Sequence, residues 1–173
     1  RIHQQSPVDY IVFDFETTGL NPRVAEIIEV AAIKVRDLEI IETFHSFSKP
    51  KFGVQEEAFK INGITNDMLE NSEPIDQVMP RFIQFIGQSK LVGYNITTFD
   101  LPLLRRHAEE LGYTIHNDYL DVYHFAVDRV PGLPNNKLTS VASYLLVDTT
   151  SAHRALDDCM ITKHCYEKLQ RMP

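Results

Sequence analysis

The chain has 173 residues, 43% of them hydrophobic and 24% charged, which fits one globular domain over 1–173 with a sizeable core and excludes disordered, collagen-like and coiled-coil classes. Its formal charge of −7, from 17 basic and 24 acidic residues, excludes a sequence-independent duplex-coating protein, because such binding depends on Lys and Arg neutralising phosphates. A nucleic-acid enzyme survives this test: carboxylates gathered around divalent cations present positive charge to a phosphate whatever the formal count.

Residues 1–9 read as an N-terminal extension too polar for a signal peptide, and no apolar run approaches the roughly 20 residues that cross a bilayer. A soluble, unexported protein is expected. The first residue is Arg1 rather than Met, as in a chain trimmed or cut from something longer. Tyr10 to Phe15 is a β-branched and aromatic run, Ile27 to Val35 is a second, and Glu39 to Phe47 alternates as a third, together predicting an antiparallel meander. From Pro74, apolar residues at Ile75, Val78, Met79, Phe82, Phe85 and Ile86 keep helical spacing up to Gly87. Leu91 to Tyr94 reads as a short buried strand, followed by a helix from about Phe99 that Gly112 closes. Leu138, Val141, Ala142 and Leu145 mark another helix, and Ala155, Cys159, Thr162, Tyr166 and Leu169 the last. The two cysteines, Cys159 and Cys165, are too few for a disulfide scaffold and are expected as reduced core thiols. A meander followed by strand and helix crossovers gives a mixed sheet covered by helices, an order that an RNase H-like α/β fold satisfies.

Three places in this order carry chemistry. Asp14 and Glu16 lie two apart in the first strand, so alternation puts both side chains on one face, able to grip a cation together. Alone, such a pair is also what a solvated strand terminus looks like. An acid inside an apolar strand, however, costs free energy unless it is satisfied, and a metal is one of few partners able to hold two. The chain then turns through Thr17, Thr18 and Gly19, where glycine permits close approach of a ligand. Asp100 follows the short strand across Asn95 to Phe99; a helix-dipole role for Asp100 and a turn-shaping role for Asn95 are open alternatives. His153 and Asp158 bracket the start of the last helix, with His153 expected in the preceding loop, free to swing, and Asp157 read as first-turn dipole compensation. Four carboxylates and one imidazole are the supply that two-metal phosphoryl transfer needs.

The segments Phe13 to Leu20, Asn95 to Asp100 and His153 to Asp158 resemble the three exonuclease motifs of the DEDD superfamily, and the terminal His resembles its DEDDh (DnaQ-like) subclass. That subclass includes the proofreading epsilon subunit of bacterial DNA polymerase III. The similarity runs from about Tyr10 to Leu169. It implies an RNase H-like mixed five-stranded sheet flanked by helices and two Mg2+ or Mn2+ ions. It also implies 3′→5′ release of nucleoside 5′-monophosphates, in DNA replication proofreading or repair. By position, Asp14, Glu16, Asp100 and Asp158 are implied as metal ligands and His153 as general base. Ile61 to Thr65 resembles the segment that packs against the terminal nucleotide, with Ile64 the implied apolar wedge. Thr17, Gly19, Phe59, Ile64, Thr65, Asn95 and Phe99 are expected to shape the substrate pocket by backbone contacts and stacking. The expected partner is a single-stranded or frayed 3′ end of DNA or RNA, with a polymerase or helicase as protein partner and a bacterial cytoplasmic location. Two departures touch substrate preference: Tyr94-Asn95 stands where His-Asn is common, with Asn-to-Asp spacing one residue longer, and Asn62 stands where His is frequent. An exoribonuclease of the same fold and a non-catalytic partner-binding module are the competing readings.

Overall fold

The computed structural model describes residues 8–173 apart from Gln55; most of the predicted N-terminal extension lies outside the described residues. Three long strands form first: β1 (Tyr10–Thr17), β2 (Ile27–Arg36) and β3 (Glu39–Phe47), paired as the antiparallel meander expected from their β-branched and aromatic content. Two short strands, β4 (Leu91–Gly93) and β5 (Tyr119–Asp121), then add in parallel on the other side of β1, giving the order β3-β2-β1-β4-β5. β1 is thus the central strand, and the carboxyl ends of β1, β4 and β5 share one edge of the sheet. In open α/β sheets such an edge, where the chain switches sides, is where ligands bind.

Strand alternation sorts the core into two layers. Tyr10 and Val12 of β1, with Ala31, Ile33 and Val35 of β2, face α5 (Val122–Arg129), α6 (Leu138–Tyr144) and α7 (Ala155–Gln170). Ile11, Phe13 and Phe15, with Val30 and Ala32, face α3 (Ile75–Ile86) and α4 (Asp100–Glu110), where Phe13, Phe15, Phe44 and Phe82 meet edge-to-face or tilted. Asp14, Glu16 and Glu29 have the parity of the first layer and therefore point toward α7. Cys159 and Cys165 are buried free thiols in that layer, as expected. Two short helices, α1 (Glu56–Asn62) and α2 (Asn66–Leu69), lie between β3 and α3.

α3 holds its course through Pro80, an interior proline that removes a helix hydrogen bond at a cost of about 3 kcal/mol. Val78, Met79, Phe82 and Ile86 on that helix are fully buried, and at roughly 1.5–3 kcal/mol each their burial outweighs the loss. The four strands and the four helices read from sequence are present. β5 and α5 were not anticipated, because Tyr119 to Arg129 passes from strand to helix with no Gly or Pro between them. Asp121 makes the transition abruptly, its carboxylate capping α5 through the Tyr123 N–H at 3.0 Å.

Gly93 shows how closely β4 approaches β1. A Cβ there would lie 2.3 Å from Ile96 Cγ2 and 3.2 Å from the Phe13 carbonyl oxygen. Gly93→Ala is expected to destabilise the protein by about 1–3 kcal/mol in urea unfolding. Gly53→Ala, whose nearest neighbour would be an Asn66 side-chain atom at 3.6 Å, should stay within about 0.5 kcal/mol; equal midpoints for the two variants would contradict the packing described.

Candidate active site at the carboxyl ends of the parallel strands

The last turn of β1 delivers Asp14 and Glu16 toward α7, and the first turn of α7 brings Asp158 down onto them. One oxygen from each of Asp14, Glu16 and Asp158 lies within 4.8 Å of the other two. Asp14 Oδ2 is buried and has no hydrogen-bond partner among the described residues, a costly state for a carboxylate oxygen unless a cation completes it. Asp100 enters from the far side of β1: beyond the end of β4, the Phe15 N–H donates to Asp100 Oδ2 at 3.0 Å. The fourth carboxylate is therefore locked to the backbone between the other two motif residues of the strand. Its charge acts on both Asp14 and Glu16.

Each motif is fixed by local chemistry. Asn95 adopts φ 59°, a left-handed conformation that Asn tolerates better than most residues, so the turn-shaping role left open in the sequence is one it performs. Asp121 holds the turn, accepting from the Asn95 N–H at 2.7 Å, the Thr97 N–H at 3.0 Å and Thr97 Oγ1 at 2.8 Å. Sequence reading missed Asp121; an acid at the start of a helix was the signal available. Tyr94, which stands where the motif it resembles commonly has His, donates its hydroxyl proton to the Asn136 carbonyl and so ties β4 to the segment before α6. His153 is not in a freely swinging loop. Its N–H donates to Asp158 Oδ1 at 2.9 Å and its φ is 78°, so the backbone is held in a specific turn while the side chain stays exposed. Behind it, Arg154 and the Ala155 N–H both bond Glu29 of β2, a residue that the motifs did not single out.

Crowding like charges out of water raises the pKa of every carboxyl in the cluster. Burial, followed by the charges of Glu16, Asp100 and Asp158, lifts Asp14 well above the usual carboxylate range. Burial and the Asp158 charge push Glu16 to about 8. Burial takes Asp100 to about 7 despite the Phe15 N–H, and takes Asp158 to about 6 despite the His153 N–H and charge. Asp157, two residues from the buried Ala155, is outside the cluster of three, consistent with its reading as a dipole residue.

Two clefts flank the cluster. The larger, about 410 Å³, is lined by Asn95, Tyr123, Lys137, His153 and Asp158 among others. The smaller, about 110 Å³, runs beside Glu16 and is lined by Thr17, Gly19 and Phe99 with Ala58, Ile61 and Asn62. Four of the expected pocket residues, Thr17, Gly19, Asn95 and Phe99, therefore border the cluster. The other three do not line either cleft. Phe59 is exposed on α1, Thr65 accepts the Met68 N–H to cap α2, and Ile64 is completely buried with Ile28 and Leu69. The expected apolar wedge at Ile64 is corrected: with no exposed surface it props the floor of this region. The neighbouring Ile61, 46% exposed and on the cleft wall, presents the apolar face instead.

Residues 11–166 match a family model described as Exonuclease. The PolC-type DNA polymerase III of Clostridium perfringens is 35% identical over 161 residues, 92% of this chain and 11% of that protein. Its counterpart in Thermotoga maritima is 35% identical over 164 residues, 94% of this chain and 12% of that protein. The chain thus spans about a ninth of the length of these relatives. Among solved structures, E. coli exonuclease I in complex with a dT13 oligonucleotide superposes with a TM-score of 0.84 at 20% identity, over 94% of this chain and 41% of the other. Exonuclease X in complex with 5′ overhanging duplex DNA gives 0.76 at 22% identity, over 93% and 90%. With the model match covering nearly all of β1 to α7, and the mixed five-stranded sheet shared with these structures, the chain belongs to the DnaQ-like exonuclease family.

Proposed function

We propose that this chain is a two-metal 3′→5′ exonuclease that releases nucleoside 5′-monophosphates from single-stranded or frayed DNA ends. The observation that carries the reading is the convergence of one oxygen each from Asp14, Glu16 and Asp158 within 4.8 Å of one another, together with the buried Oδ2 of Asp14 that has no hydrogen-bond partner among the described residues. An all-carboxylate donor set suits hard cations such as Mg2+ or Mn2+, and Asp14, Glu16, Asp100 and Asp158 are the residues that would hold them. When bound, such ions neutralise charge at the phosphodiester and lower the pKa of the attacking water. His153, exposed at the rim of the larger cleft beside Asp158, accepts the proton of that water through its imidazole. The smaller cleft offers Ile61 and Phe99 as apolar surface for the terminal nucleoside. The oligonucleotides held by exonuclease I and exonuclease X, and the polymerase relatives, support DNA as substrate and a replicative polymerase as context.

Shortening of a labelled single-stranded DNA from its 3′ end should require Mg2+ or Mn2+ and stop with chelator, and 5′-blocked strands should shorten as fast as free ones. On matched oligonucleotides DNA should be cleaved faster than RNA; the reverse order would make the chain an exoribonuclease.

Asp14→Ala is expected to abolish turnover, since it would contact both ions, whereas Asp157→Ala should change the rate by less than about twofold. His153→Ala should keep Mn2+ binding by calorimetry yet lose about 10²–10⁴ in single-turnover rate. An unaltered rate in His153→Ala would remove the base from the mechanism.

The raised carboxyl pKa values also set a stability signature. A carboxyl whose folded pKa lies above its unfolded value of about 4 binds more protons folded than unfolded, so it stabilises less as pH rises between the two. For Glu16, pushed to about 8, that window runs from about pH 4 to about pH 8. Metal-free Glu16→Gln should therefore gain thermal stability over wild type progressively across this window. Saturating Mn2+ should reverse the order at its upper end, because the cation favours the charged wild-type cluster. Parallel melting curves at all pH values would contradict the cluster electrostatics.

A further inference from the structure

Glu29 is the most deeply buried carboxylate near the site, with a side chain 1% exposed, and no step of the proposed reaction uses it. It stands opposite Glu16 in the β1–β2 register and on the same face, toward α7. Both of its oxygens are fully engaged. Oε1 accepts from Arg154 Nε at 3.2 Å and the Ala155 N–H at 3.1 Å; Oε2 pairs with Arg154 Nη2 at 2.9 Å and His45 Nε2 at 2.6 Å. The Arg154 guanidinium also lies 5.4 Å from the centre of the Phe47 ring. Such a two-pronged grip defines both distance and orientation, which a single point contact does not.

What this grip controls is the turn just before it. His153 has a left-handed backbone, an unfavourable state for a residue with a Cβ that persists only where the surroundings over-determine it. Two sets of bonds do so. On one side the His153 N–H is held by Asp158, and on the other the next two residues are held by Glu29. The side chains of His153 and Arg154 diverge, Arg154 inward to the sheet and His153 outward to the cleft.

We propose that Glu29 is a positioning residue for the exonuclease reaction: by clamping Arg154 and the Ala155 N–H to β2, it fixes the turn from which His153 reaches the attacking water. This inference rests on the reading of His153 as general base. The consequence is that Glu29 acts through His153 rather than through the metal-binding carboxylates, which a double-mutant cycle separates.

The experiment is single-turnover and steady-state cleavage of a labelled single-stranded DNA in Mn2+ by wild type, Glu29→Gln, His153→Ala and the double variant, with folding checked by thermal melting. Glu29→Gln keeps the side-chain shape and should lower kcat by roughly 10–100-fold with KM within about twofold. Placed in the His153→Ala background, the same change should cost less than about twofold. Arg154→Lys keeps the charge but not the two-pronged geometry; it should reproduce the kcat loss, and it serves where Glu29→Gln fails to fold. A Glu29→Gln or Arg154→Lys enzyme with wild-type kcat, or a loss that multiplies fully with that of His153→Ala, overturns the inference alone. An inactive wild type or a fully active His153→Ala overturns the functional reading first, and the inference with it.

Discussion

Mutual repulsion among carboxylates at the carboxyl end of β1 is the constraint around which this molecule is arranged. Asp14, Glu16 and Asp158 converge within a few ångströms, with Asp100 beside them, in surroundings where charge is poorly solvated. A fold that gathers them must supply rigid supports, because the cluster itself pushes apart. Two supports are backbone N–H groups: Phe15 for Asp100 and His153 for Asp158. The rest is mass, in the form of two apolar layers that clamp β1 from both faces.

The sheet topology follows the same need. Parallel addition of β4 and β5 places three strand ends on one edge, and each contributes a carboxylate with a different duty. β1 carries Asp14 and Glu16, the proposed metal ligands. β4 ends in the turn leading to Asp100, and β5 ends in Asp121, which binds that turn through three contacts and starts α5 with a fourth. Because β4 stops after Gly93, the Phe15 N–H is free to take Asp100 in place of a strand neighbour. A longer β4 would satisfy the backbone and displace the acid.

Much of this was legible in the sequence because it depends on periodicity and chain order. Alternation put Asp14 and Glu16 on one face, and the apolar spacings located the meander, α3, α4, α6 and α7. What stayed hidden depends on contacts distant in sequence. Glu29 sits in a ten-residue strand whose other charged residues are Lys34 and Arg36, and nothing local connects it to Arg154, 125 positions away. Ile64 illustrates the opposite failure. Its place in a familiar segment suggested a nucleotide contact, but which residue of a short helix and turn faces the cleft is set by packing against Ile28 and Leu69, which no local pattern encodes.

The five carboxyl groups near the α7 entrance show how partner, rather than burial, divides roles. Burial pushes the pKa of all five upward. Asp14, Glu16, Asp100 and Asp158 remain raised because burial, with the charges of neighbouring acids, outweighs the few groups that bond them. Glu29 is lowered: the hydrogen bonds from Arg154, His45 and the Ala155 N–H outweigh its burial. A buried carboxylate with its full complement of donors is already neutralised and has nothing left to offer a cation, so it belongs to the scaffold. One with an unpartnered oxygen, as Asp14 has, keeps the capacity to take a cation. Glu16 and Glu29 face each other across β1 and β2 in the same register, and the arginine that bonds one of them and not the other is what separates the raised carboxyl from the lowered one.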